Sequence, residues 1–316
     1  MIEQKLPIYI QKLEALLRRL PANHPKRPKL EQSFSKQMAG YKGEQSLFYY
    51  LEHLPHKRYK IFHGLRLLEG SYYFQMDFLI LSPYFFLILE VKNLSGSLTF
   101  DTNYRQLIRT NNDKEEAFPD PLLQVERQKN RLSSWLAARK LPPVPIETLV
   151  VVSSPYTLIK NPLIPDLSRS IIHSASPPSV ITTMQTHYAK PAMTDKEINR
   201  AVKQLYKNHV HYDPDILAKF QVSPNDVLKG VHCPSCFAIG MNKTYAVKWL
   251  CPFCNHSSEH AHRHSLEDYK LLISPTITNR ELRSFLSLSS RSISEKILKS
   301  LNLPHTGTYK DRRYHL

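Results

Sequence analysis

Two neighbouring runs, FQMDFLIL (Phe74–Leu81) and YFFLILEVK (Tyr84–Lys92), decide how this chain is read. Both are rich in aromatic and branched residues, and Ser82-Pro83 between them signals a turn, so together they predict an antiparallel hairpin. If Leu81 faces Phe86, Asp77 falls opposite Glu90 and Gln75 opposite Lys92, with cross-strand Cβ atoms roughly 5 Å apart. Alternation then puts Gln75, Asp77, Glu90 and Lys92 on one face, completed towards the turn by Leu79, Leu81, Phe86 and Ile88. Met76, Phe78, Ile80, Leu87, Leu89 and Val91 would form the other face. A slip of one residue would destroy the arrangement.

Two carboxylates one strand spacing apart repel each other and are costly to bury unless a hard divalent cation such as magnesium neutralises them. Magnesium takes one or two protein carboxylates and keeps room for phosphate oxygens, while a lysine two residues on can help activate water. The reaction this suits is metal-assisted phosphodiester hydrolysis, with Glu90-Val91-Lys92 at its core. The same spacing also fits a cross-strand salt bridge at a sheet end.

A wider set of motifs bears on that choice. In order, the chain carries Gly43-Glu44, Gln75-Met76-Asp77, Glu90-Val91-Lys92-Asn93, Gly96 and Pro121-Leu122-Leu123-Gln124. Over residues 36 to about 155 it thereby resembles the nuclease-related domain family, NERD. The resemblance implies a restriction-endonuclease-like α/β (α+β) core, a mixed sheet flanked by helices, of the PD-(D/E)XK type. It also implies Asp77 and Glu90 as ligands of Mg2+ (or Mn2+), Lys92 as catalytic lysine, Glu44 holding the metal from a helix, and Gln75 and Gln124 as further motif positions, Gln124 orienting substrate or water. Many relatives have an aromatic-rich segment with Trp before the Pro-Leu motif; here that segment reads Asn111-Asn112-Asp113-Lys114-Glu115-Glu116.

The flanking sequence suits such a core. Leu47, Phe48, Leu51 and Leu54 predict a helix over 42–54 with Glu44 near its start. Asp120 caps a helix that opens on Pro121 and buries Leu122, Val125, Leu132, Trp135 and Leu136, and ETLVVVS (Glu147–Ser153) predicts a buried strand. At 316 residues the chain has length for two or three modules. We expect an amphipathic N-terminal helix in 1–35, the NERD region in 36–180, a helical connector in 181–228 capped by Thr194 and Glu197, a zinc ribbon in 229–264 and a basic module in 265–316. Pro21–Pro28 and Ser174–Pro178 are candidate boundaries.

The formal net charge is +16 and the pI near 9.6, which favours a polyanionic partner. Residues 227–316 contribute most, with 13 basic and 6 acidic side chains. Apolar runs are strand-length and carry Asp77 or end at Glu90, so no transmembrane stretch and no stable membrane association are expected. Near the N-terminus Ile8, Ile10, Leu13, Leu16, Leu17 and Leu20 alternate with charges, unlike a signal peptide.

All four cysteines fall in two C-x-x-C pairs, Cys233/Cys236 and Cys251/Cys254, a zinc-ribbon pattern with four thiolates closing a structural Zn2+ site. Such use of cysteine points to a reducing, cytoplasmic setting. His256, His260, His262 and His264 read as a solvated, partly cationic loop. Further on, Thr278 with Glu281 and Ser292 with Glu295 predict two capped helices in a helix-turn-helix-like module. Residues Thr308–Leu316 then resemble the wing of a winged helix. Lys296, Lys299, Lys310, Arg312 and Arg313 would contact nucleic-acid backbone. The sequence thus supports a metal-dependent nuclease delivered to DNA by its ribbon and tail, with a non-catalytic nucleic-acid-binding protein on the same fold as the alternative.

Overall fold

The computed structural model describes residues 6–55, 58–160, 170–244 and 248–316, which hold nine α-helices and mixed sheets. They form two compact units, one built on Gln37–Tyr212, the other on Leu6–Lys36 and Asp213–Leu316.

In the first unit the expected hairpin is β2 (Tyr72–Leu81) and β3 (Phe86–Lys92), preceded by β1 (Lys60–Glu69). Its register runs from Leu81↔Phe86 to Phe78↔Leu89, as alternation requires. The turn closes because the Ser82 hydroxyl accepts the N–H of Tyr84 (3.3 Å) and of Phe85 (3.1 Å). Next come β4 (Ser97–Asp101), β5 (Gln106–Asn111), β6 (Lys114–Pro119), α3 (Pro121–Ala138), β7 (Ile146–Val152), β8 (Leu158–Lys160) and β9 (Ile171–His173). The main sheet has the order β1-β2-β3-β7-β9, antiparallel from β1 to β3 and parallel from β3 to β9. A second sheet, β6-β5-β4-β8, comes from a stretch for which the sequence reading had named no strands. There the segment Asn111–Glu116 is a tight hairpin, with Asn112 (φ 49°) and Asp113 (φ 57°) as its two turn residues.

Helices cover both faces of the main sheet. Leu79, Leu81, Phe86 and Ile88 pack on Leu132, Trp135 and Leu136 of α3 and on Leu205 of α5 (Asp195–Asn208). Phe78, Ile80, Leu87 and Leu89 pack on Leu47, Phe48 and Leu51 of α2 (Arg27–Leu51) and on Ile181 of α4 (Pro177–His187). Each such side chain, buried completely, contributes about 1.5–3 kcal/mol.

Alternation breaks once. The β1–β2 ladder runs His63↔Phe78, then Leu65↔Met76, and skips Gly64 and Asp77 between them. On the turn-distal side Phe74 and Met76 join the α3 face instead of the α2 face expected for Met76. In β1, Phe62, Leu65 and Leu67 lie on that same face, so both strands change parity on one rung. Gly64 permits this by adopting φ +61°, which a Cβ would disfavour.

Other expectations need correction. The helix expected over 42–54 begins at Arg27, so Glu44 sits well inside α2; Pro28 occupies its first turn, where no N–H is missed. Likewise Pro177 and Pro178 open α4, so the boundary drawn at 180/181 falls within a helix. The capping boxes at Thr194/Glu197 and Thr278/Glu281 form. The one at Ser292/Glu295 does not: Ser290 accepts the Ile293 N–H, and Glu295 pairs with Arg291 at 2.8 Å.

The second unit gathers α1 (Ile8–Arg19), α6 (Ile216–Phe220), the strands β10 (Asn242–Lys243), β11 (Trp249–Leu250) and β12 (Ser257–Ser258), then α7 (Ala261–Leu272). It ends with β13 (Thr276–Ile277), α8 (Asn279–Leu286), α9 (Arg291–Ser300), β14 (His305–Thr306) and β15 (Arg313–His315). One core joins Leu13 and Leu16 of α1 to Trp249, Tyr269, Phe285 and Leu298, so the N-terminal helix packs as part of this unit. Buried Arg19 donates to Asp268 (2.8 Å) and to the carbonyls of Leu228 (3.0 Å) and Gly230 (2.9 Å). Of the histidines expected in a loop, His256 and His260 do lie outside helices and strands, but His262 and His264 lie on α7, and His262 is buried with its Nδ1 accepting from Trp249 Nε1 at 3.1 Å.

Candidate active site

β2 and β3 stop pairing at Phe78↔Leu89, one residue short of Asp77 and Glu90. From there the Asp77 carboxylate replaces the missing main-chain partner and accepts the Val91 N–H at 2.8 Å. Glu90 and Lys92 alternate with Val91 and point to the α3 side. Lys92 Nζ donates to Glu90 Oε1 (2.7 Å) and to Gln124 Oε1 in the first turn of α3 (3.1 Å). One helical turn on, Gln128 Nε2 donates to the other Glu90 oxygen and to the main-chain carbonyl of Gln75, both at 2.9 Å. Asp120, whose carboxylate accepts the Leu122 N–H, fixes where α3 starts and hence where both glutamines stand.

Glu44 approaches from α2 and hydrogen-bonds His63 Nε2 at 2.6 Å. Gly43 allows the helix this close, since a Cβ there would lie 2.5 Å from the Asn93 Cβ and 2.8 Å from the Ser153 hydroxyl. His63 is itself wedged between Phe48 and Phe78, with ring centroids 4.9 Å from each. Burial first, then the carboxylates of Glu90 and Glu44, hold the Asp77 carboxyl well above the ordinary carboxylate range, against the Val91 N–H and the Lys92 ammonium. A buried Asp77 carboxyl whose proton affinity is raised by two neighbouring carboxylates marks an environment short of positive charge, and hard oxygen donors of this kind suit a magnesium-class cation.

Asp77, Glu90, Lys92, Glu44 and Gln124 are therefore brought to one end of the sheet. Gln75 is not brought in by its side chain, which the parity change at Asp77 leaves exposed; only its carbonyl enters, through Gln128. His63 and Gln128 had not been picked out from sequence. The signal for Gln128 is its i,i+4 spacing from Gln124 on an otherwise amphipathic helix.

A carboxylate pair and a lysine thus stand at the parting of two strands, with a glutamine from the following helix on the lysine. Residues 39–153 match the family model described as nuclease-related domain, NERD. No curated protein and no solved structure gives a match. The NERD match takes in β1 to β7 and α3, hence every residue of the site just described.

Outside the matched region, the four cysteine Sγ atoms lie within 4.8 Å of one another, the one such gathering of three or more metal-ligating groups among the described residues. Both knuckles fold alike. Phe237 N–H donates to the Cys233 carbonyl (2.9 Å) and Asn255 N–H to that of Cys251 (3.0 Å), with Phe237 and Asn255 in the left-handed region. Sγ separations of 3.6 Å for Cys233–Cys254 and Cys236–Cys251 match the edge of about 3.8 Å that a tetrahedron with Zn–S near 2.3 Å requires. This cluster fits a structural zinc. The carboxylates of Glu44, Asp77 and Glu90 are not drawn together to that degree: Glu44 is engaged by His63, and Glu90 by Lys92 and Gln128.

Lys296 and Lys299 are exposed one turn apart on α9, and Arg312 and Arg313 are exposed at β15. Arg313 is 3.9 Å from Glu281. The side chain of Lys310 lies outside the described residues. Among those residues, no helix is long and apolar enough to cross a membrane.

Proposed function

We propose that the NERD domain is a metal-dependent nuclease that hydrolyses phosphodiester bonds of nucleic acid, with DNA as substrate. The observation that carries this reading is Lys92, a cation held at the reacting end of the sheet by Glu90 and Gln124 beside the high-affinity carboxyl of Asp77. Asp77 and Glu90 would hold Mg2+ or Mn2+, with Glu44 as the third carboxylate. When bound, such an ion polarises the phosphate and lowers the pKa of an attacking water. An ammonium has three protons, and two of Lys92's are directed to Glu90 and Gln124, which leaves the third for a water or a phosphate oxygen. Gln128 fixes Glu90, so the lysine is oriented rather than free to swing.

Delivery to DNA is assigned to the second unit. Its order α7-β13-α8-α9-β14-β15, with β15 between β13 and β14, supports a winged-helix reading of this part. Lys296, Lys299, Arg312 and Arg313 would meet phosphates, each adding to the salt dependence of affinity. The alternative, a platform that binds nucleic acid without cutting it, is favoured by the same cations.

The deciding experiment is a cleavage panel of single-stranded, duplex and RNA substrates with magnesium or manganese added in turn. Cutting that needs the metal and falls at least about 100-fold in Asp77→Ala and Lys92→Ala supports the nuclease. Absence of metal-dependent cutting on every substrate, or a Lys92→Ala protein equal to wild type, overturns it.

A further inference from the structure

We propose that the outer face of α3 and the tip of the β1–β2 hairpin form a track that leads a single strand of nucleic acid into the candidate site. The inference rests on the nuclease-like reading of that site and names its substrate form. Gln124, Arg127 and Arg131 recur at the three- and four-residue spacing that aligns side chains along one helical stripe. Gln124 holds Lys92 at the reacting end. Arg127 is exposed, and the guanidinium of Arg131 lies 5.9 Å from the ring centroid of Tyr72. The Tyr72 ring is 70% exposed at the hairpin tip. From Gln124 to Arg131 the helix rises about 10 Å, so the stripe runs from the lysine to an open aromatic face.

The chemistry of this stripe selects the occupant. Two guanidinium groups attract successive phosphates, while an exposed ring offers its free face for stacking with an unpaired base. Bases inside a duplex are already stacked on their neighbours and have no face to give. The opposite side of the same hairpin carries a similar pair, Tyr73 under Arg66 at 3.7 Å. Tyr73 alternates away from Tyr72 and from α3, which makes it an internal control.

The test uses full-length protein and a labelled 15-mer of deoxythymidine beside a 15-base-pair duplex, without added magnesium or manganese, read by fluorescence anisotropy. Tyr72→Ala should weaken single-strand binding by about fivefold or more, Tyr72→Phe should retain it, and duplex binding should change less than about twofold. Arg127→Gln and Arg131→Gln should each lower the salt slope of single-strand binding by about 0.7. An oligonucleotide carrying 5-iodouracil should photocross-link to Tyr72. Equal losses on both oligonucleotides, a loss in Tyr73→Ala matching that in Tyr72→Ala, or no cross-link at Tyr72 overturns the track. Since no cleavage is measured, an inactive protein that still shows the Tyr72 effect sinks the nuclease and leaves the track, and the reverse outcome does the opposite.

Discussion

At the scale of single residues, the site depends on hydrogen bonds that the motif does not spell out. Gln128, one turn beyond Gln124, makes two contacts with one amide nitrogen: it holds Glu90 and it satisfies the carbonyl of Gln75. Gln128→Leu removes both bonds and leaves a nearly buried carboxylate oxygen and a carbonyl without a protein partner. We expect a loss of about 1–3 kcal/mol, read as a lower midpoint in urea denaturation. Gln124→Leu touches only the more exposed lysine and should cost less. Asp77, Glu90, Lys92 and Gln124 were legible from spacing and motif order, because charge inside an apolar strand is conspicuous. His63 and Gln128 were not, since a histidine in a strand and a glutamine on an amphipathic helix look like ordinary residues until tertiary packing gives them partners.

At the scale of elements, α2 reaches the site because Gly43 lacks a side chain. Gly43→Ala places a methyl within 2.5 Å of Asn93 and should destabilise the protein by about 1–3 kcal/mol. Gly40→Ala, three residues earlier in the same helix with nothing within 4 Å, should stabilise it by up to about 1 kcal/mol. Thermal unfolding of the two variants separates close approach from helix propensity, and destabilisation by both would refute the packing argument. The β2–β3 register was readable because its two faces are both apolar and its turn is short. The second sheet was less readable: β6 is nearly all exposed, so it lacks the alternation that marks a half-buried strand. Helix starts failed where serines compete, as at Ser290 and Ser292, for only one hydroxyl can sit at the cap.

At the scale of the whole molecule, pH acts through histidines in the second unit. Burial pushes His262 down to about 4, helped by the nearby cations Lys243, Arg263 and His260, and burial likewise pushes His232 to about 4. The unfolded chain takes up these protons near pH 6.5, while the folded one refuses them until about pH 4. Stability present above pH 6.5 is therefore lost progressively as pH falls towards 4. His262→Gln keeps an acceptor for Trp249 but does not titrate, so its melting temperature should fall less than that of wild type between about pH 7 and pH 5. An equal fall would refute the assignment. The cysteine spacing announced the four-thiolate cluster without help from tertiary structure, whereas the burial of His262 depends on α7 beginning where a loop was expected. The paired break at Gly64 and Asp77 has a consequence of its own. An ordinary hairpin can shift by two residues and keep every side chain on its proper face. Here such a shift would set the left-handed glycine against a regular strand residue, so the two strands key together like a tooth in a notch, and the distance from Asp77 to the turn is locked along with them.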